Sequence, residues 1–373
     1  MEEDDKGTVC VTGGTGFIAS FLIKRLLHEG YSVRTTVRSD PGNERDLSFL
    51  TTLPGAAERL EIFSADLNDL ESFDAAIEGC KGVFHLATPI NFDVSEEVFI
   101  ERANGRDVET MDESFWTDIG FARGIQNRDQ RCYIMSKTLP EKEALEFGAR
   151  HGLDVVTVIP SLVVGPFICP KLPASVQTTL ALILGLQDQY PYILNVSMVH
   201  VDDIARAHIF LLEYPDAKGR YNCSAYTMSL QKMYEFLRAK YPEFPMPTPE
   251  SIAEIKGERC PVLSSKKLLD AGFEFNYGVD EMFDDSIKCC KEKVVDPYSV
   301  NDYIGRLIHH KTTDAGYVDV DTTAIDSGKL LERSDLRTAH SSKLHHGKGG
   351  MFKPESWRID FQIEVVHEQL AKR

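Results

Sequence analysis

The chain has 373 residues, 42% of them hydrophobic, and a formal net charge of -17. That is enough apolar mass for one large domain or two interlocked ones, and the negative balance, with no cluster of Lys and Arg, argues against a nucleic-acid backbone as partner. The acidic start Met1-Glu2-Glu3-Asp4-Asp5 is not a secretory signal, no apolar run approaches a membrane span, and the eight cysteines carry no C-x-x-C or zinc spacing, which reads as reduced thiols in a cytoplasmic protein.

In chain order, the β-branched run Thr8–Thr12 predicts a first strand. It ends in Gly13-Gly14-Thr15-Gly16, and an apolar helix pattern follows over Phe17–Glu29. Strand, glycine-rich turn and helix make the phosphate cradle of a doubly wound α/β fold. Gly13 supplies the positive φ of the turn. Gly16 keeps side-chain atoms away from a pyrophosphate, and Ala19 lets the helix pack closely. Thr15, Phe17 and Ile18 complete the cradle, where unpaired helix N–H groups face the phosphates. Gly30 ends the helix, and Ser32–Val37 reads as the second strand.

That strand runs into Arg38, where a chain built for NAD would carry an acid for the ribose 2′-OH. Arg38 suits the 2′-phosphate of NADP(H), with Arg45 as a second cation. The alternative is a solvated strand-end charge. Asp40 argues the other way, but Pro41 pulls it into the turn. Leu60–Ser64 is the third strand, Leu70–Glu78 a helix and Val83–Ala87 the fourth strand. Asp66 and Leu67 fall where the adenine edge would lie. Ala87 and Thr88 fall at the carboxyl end of the sheet, where ligands sit.

Tyr133-Ile134-Met135-Ser136-Lys137 opens a helix that continues through Glu141–Ala149. Positions four apart share a helix face. A tyrosine with a pKa near 10 is a poor catalyst at neutrality, and a neighbouring ammonium favours its phenolate. Lys137 can also hold the nicotinamide ribose. Tyr214 and Lys218 repeat the spacing inside a Pro/Gly turn, so context selects Tyr133. Pro140 lies in the first turns of this helix, where it is expected to bend it. Val155–Ile159 reads as a central parallel strand, and Val201–Leu212 as a helix with Asp202 and Asp203 in its first turn.

These residues resemble the extended short-chain dehydrogenase/reductases, and within them the plant dihydroflavonol 4-reductase and vestitone reductase group. The resemblance rests on Val11–Ser20, Ser64–Leu67, Val83–Pro89, Tyr133-x-x-x-Lys137, Ile159–Phe167, Val199–His208 and Gly219–Cys223, and covers residues 6–293. It implies a doubly wound parallel Rossmann sheet with a smaller mixed substrate lobe. It also implies NADPH-dependent reduction of a ketone on a flavonoid-like substrate, a small phenolic ketone or alcohol. Hydride would leave the nicotinamide C4 and Tyr133 would protonate the carbonyl oxygen. Pro160, Val163 and Ser175 fall where such enzymes line the nicotinamide and substrate pocket.

The chain departs from that pattern after Glu101-Arg102-Ala103-Asn104. A block of about thirty residues, the size of one strand–helix unit, is expected to be missing near 102–104. The family's catalytic serine goes with it, and neither Ser114 nor Ser136 replaces it. Loss of a central strand leaves either a hole or two strands that pair directly. The predicted divisions are a cofactor-binding core over 6–165, a mixed lobe with returning sheet elements over 166–295, and a disordered or non-homologous tail over 296–373. The tail holds His345-His346, read as disordered sequence rather than a metal site, and a short amphipathic helix over Phe361–Leu370. Three readings stand at this point: the reductase, a catalytically impaired NADP-binding remnant from a mis-spliced transcript or gene model, and a nucleotide-sugar epimerase or dehydratase. Monomer and dimer stay equally open.

Overall fold

The computed structural model describes residues 6–39, 45–87, 108–123, 128–186, 194–256, 259–293 and 364–366. Of Phe121 and of residues 128–133 and 364–366 it describes the backbone alone. The chain divides into two compact units, Met1–His310 with Arg358–Arg373, and Lys311–Trp357. The second unit, with His345 and His346, lies outside the described residues.

The first unit opens with β1 (Thr8–Thr12), α1 (Phe17–His28), β2 (Ser32–Val37), β3 (Leu60–Ser64) and β4 (Gly82–His85). These strands form a parallel sheet in the order β3-β2-β1-β4. One stripe of α1 (Ala19, Phe21, Leu22, Ile23, Leu26, Leu27) is buried, which is the spacing a helix laid on a sheet requires. The helix ends in a Schellman turn: the N–H of Tyr31 donates to Leu26 O at 3.0 Å and that of Gly30 to Leu27 O at 3.3 Å. Gly30 takes φ 91° there, a conformation that strains any side chain.

Next come β5 (Thr110–Met111), α2 (Arg128–His151), β6 (Val156–Pro160), β7 (Leu162–Val164), β8 (Asn195–His200), α3 (Val201–Glu213), β9 (Gly219–Cys223), β10 (Tyr226–Ser229), α4 (Leu230–Lys240), β11 (Val262–Leu263), α5 (Val279–Lys293) and β12 (Glu364–Val366). Strands β6 and β9 are parallel, β8 joins β7 in parallel and β10 in antiparallel, and β5 pairs with β11. One apolar core joins α1, β1, β4, β6, β9 and α3. A second joins residues 164–186 to α4 and α5. Helix α3 is capped by His200, whose Nδ1 accepts from the N–H of Asp202 at 3.1 Å. No helix among the described residues is long and apolar enough to cross a membrane.

Three elements differ from the sequence reading. The helix expected over Leu70–Glu78 splits into a 3₁₀ turn (Leu70–Phe73) and one α-turn (Asp74–Ile77). The hydroxyl of Ser72 bonds Asp66 and Asp69, and this competes with a regular helix start. The fourth strand stops at His85, because the N–H groups of Leu86 and Ala87 turn onto Thr12 Oγ1 at 3.0 and 3.1 Å. Helix α2 begins at Arg128 rather than Tyr133 and runs through Pro140.

The centre of the sheet also differs. Between β4 and β6 the described residues hold no strand that pairs with either, only β5, which is parallel to β11 in a separate two-stranded sheet, and two helices. Yet β4 and β6 do not pair. The segment Glu364–Val366, where a helix was expected, is instead a strand antiparallel to β6, with Val365 opposite Thr157, and it lies beside β4 under α3. Its core, Val365-Val366, is β-branched and favours the extended state. A strand has thus entered the position for which the alternatives were a hole or direct pairing.

Candidate cofactor and catalytic site

The parallel registers bring the carboxyl ends of β1 to β4 to one edge: Thr12 lies opposite Thr36 and His85, and Val37 opposite Ser64. Gly13, Arg38, Asp66, Leu67 and Ala87 therefore share that edge. Gly13 takes φ 72°, and a Cβ there would come 2.8 Å from the Cα of Ala87. Its N–H donates to Thr36 Oγ1 at 3.3 Å. The N–H of Gly16 donates to Gly13 O at 2.9 Å and closes the turn. Gly16 then starts α1 with no side-chain cap, so the first N–H groups of the helix, those of Phe17 and Ile18 among them, stay available to an anion. The rings and alkyl groups of Phe17 and Ile18 are half-buried against the core. Thr15 is half-buried in the turn. A pyrophosphate fits this cradle: among the described residues no side chain caps the start of α1, and backbone donors and the positive end of the α1 dipole face it.

Arg38 is exposed at the end of β2, and its charge reaches the Asp66 carboxylate. Asp66 is held below the usual carboxylate range, first by the backbone N–H of Asn68, then by the Asn68 side chain, both at 2.8 Å. Arg45 is exposed. Thr88 lies outside the described residues.

Sequence reasoning passed over the scaffold under the cradle. Gly14 has a negative φ, yet a Cβ there would meet Thr35 Oγ1 at 2.2 Å. Thr12 Oγ1 contacts His85 Nδ1 at 3.0 Å and accepts from two backbone N–H groups of the β4 turn. The motif Val11-Thr12-Gly13 already carried that threonine. Burial pulls His85 down to about 4. The unfolded chain then binds a proton that the folded chain refuses as pH falls from about 6.5 towards 4, so stability is lost over that window as pH falls. The loss attributable to this group is up to about 3 kcal/mol. Chemical denaturation of the protein and of His85→Gln at pH 7 and pH 5 is expected to show a steeper loss in the unmodified chain. Equal slopes would reject the assignment to His85.

Helix α2 feeds β6, so it runs antiparallel to that strand and its first half lies towards the carboxyl edge. Positions 133 and 137 stand four apart on it. Lys137 is half-buried. Glu141, one turn further, is buried and accepts from Thr157 Oγ1 of β6 at 2.8 Å. Lys137 therefore lies one helical turn nearer the edge than Thr157, towards Pro160, which closes β6. Val163 is buried in β7, and Ser175 is half-buried in the first turn of the short helix Ala174–Thr179. The Tyr133 side chain lies outside the described residues. Tyr214 sits at the end of α3 and Lys218 before β9, so that pair shares no helix. No group of His, Cys, Asp or Glu that could hold a metal occurs among the described residues.

Residues 10–101 match the family model described as GDP-mannose 4,6 dehydratase, and residues 123–224 that of the NAD dependent epimerase/dehydratase family. Vestitone reductase of Medicago sativa is 48% identical over 323 residues, which take in 78% of this chain and 98% of that protein. Dihydroflavonol 4-reductase of Callistephus chinensis is 41% identical over 336 residues, 81% of this chain and 91% of that protein. The crystal structure of alfalfa vestitone reductase superposes with a TM-score of 0.70 at 47% identity, covering 78% of this chain and 99% of that one.

Proposed function

Starting from a chain that belongs to the extended short-chain dehydrogenase/reductase family, alongside vestitone reductase and the dihydroflavonol 4-reductases, we propose that it is an NADPH-dependent reductase of a ketone on a flavonoid- or isoflavonoid-like substrate. The observation that carries this reading is identity of 48% across 98% of vestitone reductase; the glycine cradle and the Tyr133–Lys137 helix each fall within a stretch matched by a family model. A bound nicotinamide supplies the hydride. Gly13, Gly16 and the start of α1 hold the pyrophosphate, and Arg38 takes the 2′-phosphate. Lys137 holds the ribose and keeps the Tyr133 hydroxyl acidic enough to protonate the carbonyl oxygen. Pro160, Val163 and Ser175 line the pocket.

The experiment is NADPH oxidation with a dihydroflavonol or an isoflavanone. Stoichiometric release of NADP+ with alcohol product supports the reductase, whereas tight retention of the cofactor through turnover points to the epimerase cycle. Arg38→Ala is expected to weaken NADPH binding by about 10- to 100-fold and to spare NADH, the loss of one charge-assisted contact. An equal loss for both cofactors would remove Arg38 from the 2′-phosphate site.

A second reading, a cofactor binder without turnover, is favoured by the centre of the sheet. The 323 aligned positions of vestitone reductase draw on 78% of this 373-residue chain, fewer residues than positions, so that protein carries sequence this one lacks. NADPH binding without any turnover of either ketone would select this reading.

A further inference from the structure

One guanidinium joins three parts of the molecule that the sequence keeps far apart. Arg220 on β9 stands opposite Thr157 of β6. Its Nε donates to Glu141 Oε1 at 2.8 Å, and its Nη2 to Oε2 at 3.3 Å. Both side chains are largely withdrawn from water, at 14% and 7% exposure. Burial on that scale makes the pair costly to break from one side. The Nη1 of Arg220 donates to Glu113 O at 2.6 Å and to Phe115 O at 2.5 Å. Its flat face lies 3.6 Å from the ring centre of Trp116, and Lys142 of α2 lies 4.8 Å from the same ring. Asn222, two residues on in β9, donates its N–H to Glu113 Oε1 at 2.8 Å.

The partners are thus Glu141, one turn after Lys137 on α2, and the carbonyls of segment 113–116. That segment is anchored a second time where β5 pairs with β11. A lysine at 220 would keep the charge but would lack the planar fork that reaches both at once.

We propose that Arg220 is a positioning residue, which fixes the Lys137 helix and segment 113–116 to one point on the sheet and so sets where Lys137 stands at the carboxyl edge. The proposal rests on the reductase reading above. Arg220 makes no contact with the glycine cradle, so its loss should fall on turnover rather than on cofactor affinity.

The test uses the full chain. Arg220→Lys is expected to lower kcat by about 10- to 100-fold, the cost of a displacement of about 1 Å, with little change in the NADPH dissociation constant. In Arg220→Ala, millimolar guanidinium ion is expected to restore part of kcat by filling the vacated site, a response that general loosening would not give. Hydrogen exchange, read without any substrate, is expected to accelerate together in peptides covering 113–116 and the Glu141 turn of α2, while β1 and α1 keep their protection. Unchanged kcat and exchange in Arg220→Lys would overturn the proposal. So would parallel loss of cofactor binding and protection throughout, with no rescue by guanidinium. If the unmodified chain reduces neither ketone, the reductase reading fails on its own, and the exchange data still decide the clamp: joint acceleration supports it, and acceleration of one segment alone rejects it.

Discussion

Tyr133→Phe is expected to lower kcat for ketone reduction by about 100- to 10,000-fold, the span that a positioned proton donor contributes, while NADPH affinity stays close to that of the unmodified chain. The phenylalanine keeps the ring and the helix and removes only the hydroxyl, and with it the proton to be donated. Position 133 stands one turn before half-buried Lys137 on α2; in the reductase proposed above, the role of that ammonium is to favour phenolate at a pH where a free tyrosine, near 10, would hold its proton. Steady-state rates paired with cofactor titration separate the two effects. A variant within about threefold of full activity would move the proton-donor role away from Tyr133.

Gly14→Val is expected to cost about 3 kcal/mol or more, and to lower the melting temperature by roughly 5–10 °C, with NADPH binding lost alongside. A Cβ at Gly14 would come 2.2 Å from Thr35 Oγ1 and 3.1 Å from Ile23 Cδ1. Thr35 cannot swing aside cheaply: it is buried, and its hydroxyl donates to Val11 O at 2.7 Å. Either β2 moves off β1, or that hydrogen bond breaks inside the sheet and leaves a buried carbonyl short of a partner. A thermal scan decides it, and a melting point within a degree or two of the unmodified protein would mean that the strand pair gives way more easily than this contact implies.

What could be read from the chain alone follows the range of the interactions. Strands β1, β2 and β3 keep the limits expected of them, because β-branched runs bounded by glycine or by turn residues settle locally. The turn at Gly13 was legible for the same reason. The end of β4 was not, since Leu86 and Ala87 are drawn off by the Thr12 hydroxyl, a residue 74 positions earlier for Leu86. Glu141 was visible as an acid one turn after Lys137, but nothing in its surroundings names Arg220, 79 positions on, as its partner. Gly14 was hidden behind its neighbours: its φ is ordinary, and only the approach of Thr35 forbids a side chain. The tail was misread at Glu364–Val366 because helical periodicity was weighed without the open edge of β6 that recruits it.

That recruitment fixes the order of events during synthesis. Strand β6 ends at Pro160, but its neighbour β12 spans Glu364–Val366. At about 5–20 residues per second, a ribosome needs roughly 10–40 s to cover the interval. Throughout it, the facing edges of β4 and β6 offer their N–H and C=O groups to any extended segment nearby. The gap beside β6 is therefore filled only after about two hundred further residues have been made, and its edges are open to wrong pairing for that whole interval.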